Sequence, residues 1–165
     1  GIWTEVTVDD YFPCTPLSGP MFSRANDNEM WVLLVEKAYA KLHGNYFTLR
    51  GGFANEGMID LTGCPSVTYD FELPKVVDQI KSGELWNMLV HFDQSGYLIS
   101  GSTPGEDRWT ELGGPDQEGG LVPGHAYSII EAKEALGNKL LNIRNPWGAF
   151  EWDGAWSDKS DNWTQ

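Results

Sequence analysis

The sequence contains little cysteine: Cys14 and Cys64 are the only thiols among 165 residues. Two thiols in a chain of this length do not form the dense disulfide framework of a small secreted domain. The scarcity of cysteine therefore predicts a protein of a reducing, cytoplasmic compartment.

Basic residues are also scarce, since 11 lysines and arginines stand against 24 aspartates and glutamates, for a formal net charge of -13. Such a surface repels a phosphate backbone, so we expect no nucleic-acid partner. Two interpretations of the acidic excess stay open. It forms a solvated surface that keeps the protein soluble, or it provides oxygen ligands for calcium.

Long apolar runs are absent, because no stretch approaches the roughly 20 residues that cross a bilayer. Residues 1–4 contain neither a charged leader nor an apolar signal region. We therefore expect no transmembrane segment. The chain begins with Gly1 rather than methionine, which suggests a piece excised from a longer protein.

The apolar residues that are present suffice for one folded core. Hydrophobic residues make up 41% of the chain and eight are tryptophans, which predicts an aromatic-rich interior. Apolar side chains recur every fourth residue from Met30 to Leu42 and predict a helix over residues 28–43. Gly51 and Gly52 lower the cost of a bend and predict a hinge between two subdomains.

The rear half of the chain, from Leu85 onward, is predicted to be mostly strand, after a second helix over residues 72–81. Short apolar runs that predict strands cover residues 86–92, 97–99, 125–130 and 139–143. The first two runs are predicted to pair as a hairpin. Residues 101–124 are rich in glycine, proline and acidic side chains, which predicts a mobile surface loop.

His125 and Asn145 lie at the ends of the last two predicted strands, so antiparallel pairing can bring their side chains together. Direct opposition requires a connection centred near Ala135, whereas a tight turn at Gly137-Asn138 would place His125 opposite Phe150. In a cysteine protease an imidazole holds the thiolate and a third group orients the ring, which suits this pair. Taken alone, a histidine beside a strand is more often structural.

Two motifs around this pair resemble the catalytic histidine and asparagine segments of calpains. They are Gly124-His125-Ala126-Tyr127-Ser128-Ile129 and Asn142-Ile143-Arg144-Asn145-Pro146-Trp147-Gly148. The resemblance continues over residues 151–158 and reappears upstream over 34–44 and 60–63. Between about residues 64 and 123 little resemblance is found, so substrate specificity is left open.

The resemblance implies an α+β, papain-like fold. Residues 1–50 would be the tail of a first protease subdomain, and residues 51–165 would form a second, mostly antiparallel one with a helix before it. His125 and Asn145 would be catalytic, with Gly124 and Trp147 as supporting residues. Trp147 is similar to a family tryptophan that shields the contact between asparagine and histidine, and simple core packing is an equal alternative.

In calpains the nucleophilic cysteine lies in the first subdomain. The segments of this chain that resemble calpains all follow that cysteine in the family, so the resemblance implies that the nucleophile lies outside this chain. Neither Cys14 nor Cys64 opens a long helix whose dipole would stabilise a thiolate. We therefore expect the chain alone to be inactive. The resemblance implies two partners, a first subdomain that bears the cysteine and the protein substrates.

Calpain cores also bind calcium, and the resemblance implies Glu151 and Asp158 as ligands of one site and Glu29 as a ligand of another. Calcium takes about six to eight oxygen ligands. The remaining family ligands would fall beyond Gln165 or before Gly1, so each site would be incomplete here. A solvated surface is an equal alternative for these carboxylates.

The sequence thus predicts part of a calcium-dependent cysteine endopeptidase. Two alternatives stay open: a non-catalytic calpain-like module that binds protein partners, and a calcium-responsive regulatory domain. A cysteine followed by tryptophan at a helix start, upstream of Gly1, would favour the protease.

Overall fold

The computed structural model describes residues 2–25, 27, 29–105, 120–148 and 151–164. The chain forms two compact units, a front unit (Gly1–Glu56) and a rear unit (Gly57–Gln165). The assignment of residues 1–50 and 51–165 to two protease subdomains stays a prediction. None of the helices in the described part of the chain is long and apolar enough to span a membrane.

The front unit is built around helix α1 (Trp31–Leu42). The helix predicted over residues 28–43 is therefore confirmed, with a later start. Lys41 Nζ donates to Thr7 O at 2.6 Å, and Lys37 binds both the side chain and the carbonyl of Asp9, so the N-terminal segment is tied along the helix. A short hairpin precedes α1 and consists of two strands of two residues each, β1 (Cys14–Thr15) and β2 (Gly19–Pro20). A 3-10 helix (Tyr46–Arg50) follows α1.

Three further helices follow: α2 (Ala54–Thr62), α3 (Pro74–Ser82) and α4 (Glu84–Gln94). The helix predicted over residues 72–81 is confirmed as α3. Gly83, with φ of 78°, ends α3 in the left-handed region and leads directly into α4.

The strand predicted over residues 86–92 is wrong, because this segment lies inside α4. Leu85, Leu89 and Phe92 follow the spacing of a helix, and Leu85 is buried. Trp86 and Val90 add apolar side chains outside this spacing, which made the run look like a strand. The predicted hairpin between residues 86–92 and 97–99 is therefore also wrong.

The rear unit contains a three-stranded antiparallel sheet in the order β3 (Ile99–Ser102), β4 (Ala126–Ala135) and β5 (Asn138–Arg144). The last predicted strand pair is confirmed, as is the α+β class with an antiparallel sheet. The loop predicted over residues 101–124 lies largely outside the described residues, and of its described part Gly101 and Ser102 belong to β3.

A tight turn, Leu136-Gly137, joins β4 to β5, so the longer connection centred near Ala135 is wrong. Ile129 pairs with Ile143 but Glu131 pairs with Asn142, which leaves Ile130 as a β-bulge. The bulge changes which residues of β4 face inward: Tyr127 is buried before it and Ala132 after it.

Helix α4 packs against β4. Trp86 Nε1 donates to Glu134 Oε1 at 3.0 Å, and the Lys139 ammonium lies 5.7 Å from the centre of the Trp86 ring. Asp93 Oδ2 accepts from the backbone N–H of Ala132 at 3.2 Å. These contacts hold the helix on the half of the sheet nearest the turn.

The core is small. The buried apolar residues among those described are Leu33, Ala40, Val76, Leu85, Val122, Tyr127 and Ala132. No tryptophan belongs to this set, and Trp3, Trp31, Trp152 and Trp163 are exposed. The aromatic-rich interior predicted from the tryptophan count is therefore wrong for the part of the chain that the structure describes.

Candidate active site

The structure brings the side chains of His125 and Asn145 together at one end of the sheet. His125 immediately precedes β4 and Asn145 immediately follows β5. Ser128 pairs with Arg144, so continuing this register by one residue sets Asn145 opposite Tyr127. Tyr127 and His125 are two residues apart and share a sheet face, which makes His125 and Asn145 diagonal neighbours rather than a directly opposed pair.

The imidazole and the carboxamide are joined by a hydrogen bond, with 2.9 Å between His125 Nε2 and Asn145 Oδ1. The same oxygen accepts the backbone N–H of Trp147 at 3.0 Å. Within a carboxamide only the oxygen can accept a hydrogen bond from an N–H group. The contact with Trp147 N–H therefore fixes which way the amide of Asn145 points. His125 Nε2 must then be the protonated nitrogen, and Nδ1 is the nitrogen left to face a reacting group.

Aromatic rings enclose the imidazole. The Tyr127 ring meets it edge to face, with 4.8 Å between ring centres and an interplanar angle of 88°. The Trp147 ring lies 4.2 Å away at an angle of 47°. His125 is only 7% exposed, so its bond to Asn145 is largely shielded from competing water.

The backbone just before His125 is folded into a tight bend. Gly124 has a φ of 64°, a conformation that side chains other than glycine adopt at a cost, and its N–H donates to Pro104 O at 3.1 Å. Gly124 was predicted as a supporting residue, and the structure gives it this backbone role. Thr103 bonds His125 on both sides: Thr103 N donates to His125 O at 3.0 Å, and Thr103 Oγ1 accepts from His125 N at 3.0 Å.

Two residues at the site were given no role from the sequence, Thr103 and Tyr127. The signal for Tyr127 was available, because residues i and i+2 of a strand share a face and place its ring beside His125. Thr103 could not be found in this way, since it lies 22 residues before His125.

The candidate calcium ligands do not form a complete site. Glu151 and Asp158 line one open cleft of about 610 Å³, together with Asp153 and Asp161. Within the described residues no group of three or more histidine, cysteine, aspartate or glutamate side chains is arranged to hold a metal ion. Glu29 belongs to the front unit, where it accepts a hydrogen bond from Trp31 Nε1 at 2.8 Å.

Both cysteines are exposed and free. The Cys64 sulfur lies 3.9 Å from Thr62 O, a weak local hydrogen bond.

A histidine whose Nε2 is bound by an asparagine oxygen, carried by an α+β fold, is the arrangement that papain-like cysteine proteases use. The chain belongs to the calpain family: the family model described as calpain family cysteine protease matches residues 1–165. The resemblance read from the motifs is thereby confirmed.

Similar proteins come from plants and animals. Calpain-type cysteine protease ADL1 of Oryza sativa subsp. japonica is 44% identical over 168 residues, which cover 100% of this chain. Calpain-12 of Homo sapiens is 43% identical over 169 residues, and the calpain-1 catalytic subunit of Bos taurus is 39% identical over 171, each covering 99% of this chain. The chain spans 8% of the length of the first relative and 22% of the other two.

Proposed function

We propose that this chain supplies the catalytic histidine and asparagine, His125 and Asn145, of a calcium-dependent calpain-type endopeptidase that cleaves proteins. The observation that carries the proposal is the hydrogen bond of 2.9 Å between His125 Nε2 and Asn145 Oδ1. In this proposal residues 1–50 complete a first subdomain that bears the nucleophilic cysteine, and residues 51–165 form the second. A cytoplasmic setting fits the two free thiols.

The geometry supports a specific division of labour between the two ring nitrogens. Nε2 keeps its proton and donates it in the hydrogen bond to Asn145 Oδ1. Nδ1 therefore takes the proton of the incoming thiol and leaves a thiolate beside an imidazolium. The sulfur attacks the peptide carbonyl carbon, and the Nδ1 proton passes to the leaving amine as the carbon–nitrogen bond breaks. Water, deprotonated by Nδ1, then hydrolyses the thioester and restores the thiol.

Asn145 and Trp147 act on the histidine rather than on the substrate. The carboxamide oxygen accepts from Nε2 in both the neutral and the charged ring, so the imidazole keeps one orientation through the cycle. Trp147 covers one side of the ring and limits the access of water to that bond. Both effects keep Nδ1 aimed in one direction, which is the contribution of orientation to the rate.

We further propose that Glu151 and Asp158 bind calcium in the intact core, with other oxygen ligands from outside the described residues, and that Glu29 belongs to a separate calcium site. Bound calcium would neutralise the excess negative charge of the cleft that holds Glu151 and Asp158. The described carboxylates alone do not complete a site, so we assign them no chemical step.

The test replaces His125 by Ala in the full-length protease that contains this chain and measures peptide cleavage with calcium and with a chelator. We expect the variant to lose essentially all turnover with calcium, because the imidazole proposed to hold the thiolate is removed. The unmodified enzyme should cleave the peptide with calcium and lose turnover in the chelator.

The matched control is His91→Ala, since His91 is an exposed histidine on α4. It should cleave the peptide at the unmodified rate. Full turnover by the His125 variant would refute the catalytic assignment. Absence of cleavage by the unmodified protein with calcium would instead favour a module that only binds proteins. Turnover that persists in chelator would refute calcium dependence alone.

A further inference from the structure

The four residues that lead into the imidazole, 122–125, have every backbone donor paired. Val122 N–H donates to the Tyr127 hydroxyl at 2.8 Å, and Gly124 N–H donates to Pro104 O at 3.1 Å. His125 N–H donates to Thr103 Oγ1 at 3.0 Å. Pro123 has no N–H to satisfy. The path of the chain into His125 is therefore fixed at each residue.

Two of these partners are the side-chain hydroxyls of Thr103 and Tyr127. Each of them binds one backbone group of Val122. Thr103 Oγ1 donates to Val122 O, with His125 O as a longer second acceptor at 3.3 Å, while accepting from His125 N–H. Tyr127 Oη accepts from Val122 N–H. The two hydroxyls thus hold both polar backbone groups of Val122, and one of them also holds His125 directly.

Burial makes these bonds difficult to replace. Val122, Tyr127 and His125 are each 7% exposed, so water has little access to a backbone group released by loss of a hydroxyl. The Tyr127 hydroxyl that binds Val122 also anchors the Tyr127 ring, whose centre lies 4.8 Å from the imidazole centre. A change at Val122 is therefore transmitted to the ring that orients His125.

We propose that Thr103 and Tyr127 are positioning residues: their hydroxyls form a clamp on Val122 and His125 that aims the imidazole and keeps its proton on Nε2. The consequence for catalysis rests on the proposed function of His125. The clamp itself is a property of this chain and can be tested without any cleavage assay.

The first experiment compares Thr103→Val, Tyr127→Phe and Thr103→Ser in this chain by long-range ¹H–¹⁵N NMR of the histidine rings. In the unmodified chain His125 should be almost entirely the Nε2–H tautomer. Thr103→Val and Tyr127→Phe keep the shape of the side chain but remove the hydroxyl, so both should show a mixture of tautomers. Thr103→Ser retains the hydroxyl and should restore the single tautomer.

Exposed positions provide matched controls. Thr68→Val and Tyr97→Phe make the same chemical changes at exposed side chains and should leave the His125 signals unchanged. If Thr103→Val does not fold, Tyr127→Phe, which preserves the ring contact, carries the test alone. An unchanged His125 spectrum in the folded hydroxyl-deleted variants would overturn the clamp.

The second experiment measures kcat and KM of the same variants in the full-length protease. Misaiming a catalytic group by a fraction of an ångström to 1 Å costs up to about 10²-fold in rate, so we expect kcat to fall at least about tenfold with KM nearly unchanged. Unchanged kcat would contradict an aiming role. If His125→Ala retains turnover, the proposed function fails, whereas the tautomer measurement still decides whether the clamp exists.

Discussion

At the scale of single residues, Asn145 holds the imidazole of His125 through a hydrogen bond of 2.9 Å. Its oxygen accepts two N–H groups, from the imidazole and from the backbone of Trp147. The second contact is local, because residues 145 and 147 are only two apart, so it orients the carboxamide without help from the strand pairing. The orientation of the carboxamide then selects the tautomer of the histidine.

Replacement of Asn145 by Ala tests this selection. We expect kcat to fall on the order of 10²-fold in the full-length protease, less than the ~10⁴-fold loss caused by a group that enforces the wrong tautomer. The alanine offers no oxygen, so the imidazole loses its hydrogen-bonded orientation and is held only by the Tyr127 and Trp147 rings, but it can still adopt the productive tautomer. Asn87→Ala, at an exposed position on α4, is the control and should keep normal kinetics. An Asn145→Ala enzyme with normal kcat would show that the bond does not contribute.

At the scale of the elements, the β4–β5 hairpin decides whether the site forms. Leu136 and Gly137 have φ of 51° and 77°, so both central residues of the turn are left-handed. A two-residue turn with this conformation matches the right-handed twist of the strands that it joins. It disfavours leucine, because in the left-handed region the Cβ comes too close to the following carbonyl oxygen. Leu136 is 62% exposed and gains little from burial in return.

Leu136→Asn should therefore stabilise the chain by about 0.5 to 1 kcal/mol, because asparagine tolerates the left-handed region. Gly137→Ala should destabilise it by about 1 kcal/mol. An added Cβ at Gly137 meets no atom within 4 Å, so the cost would be conformational rather than steric. Urea denaturation measures both changes.

Leu98→Asn is the control for the turn, because Leu98 is exposed but has no positive φ. Its free energy of unfolding should change by less than about 0.5 kcal/mol. Destabilisation by Leu136→Asn would mean that the leucine side chain, rather than the turn geometry, determines stability at this position.

The elements also show what the sequence could and could not predict. The apolar stripe of α1 and the first-turn proline of α3 were sufficient to place two helices. The apolar runs over residues 125–130 and 139–143 placed His125 and Asn145 at two strand ends. The α4 segment was misread because Trp86 and Val90 obscured the spacing of Leu85, Leu89 and Phe92. Short apolar runs do not distinguish a buried helix from a strand by periodicity alone.

The contact between His125 and Asn145 was predicted for a reason that proved wrong. Direct opposition required a long connection, whereas the structure combines a two-residue turn with a bulge at Ile130. A bulge shifts the register by one residue and has no reliable sequence signature here, because Ile129 and Ile130 are both good strand formers. The clamp formed by Thr103 was missed because it depends on long-range strand pairing.

At the scale of the whole molecule, the chain spans 8% to 22% of the length of the relatives compared above. The apolar core of its described residues is small, and no large side chain in it is fully buried. Its function therefore has to be measured where the proposed cysteine is present. The central claim is that His125, oriented by Asn145, holds that cysteine as a thiolate.

The most direct measurement is the rate at which iodoacetamide alkylates the nucleophilic cysteine of the full-length calcium-loaded protease, followed against pH by mass spectrometry of its peptide. A thiolate paired with His125 should react rapidly well below the ordinary thiol pKa of about 8.5, and His125→Ala should abolish this low-pH reactivity. Cys14 and Cys64, both exposed, serve as internal references in the same digest. An identical pH profile for the nucleophile with and without the His125 imidazole would contradict the account.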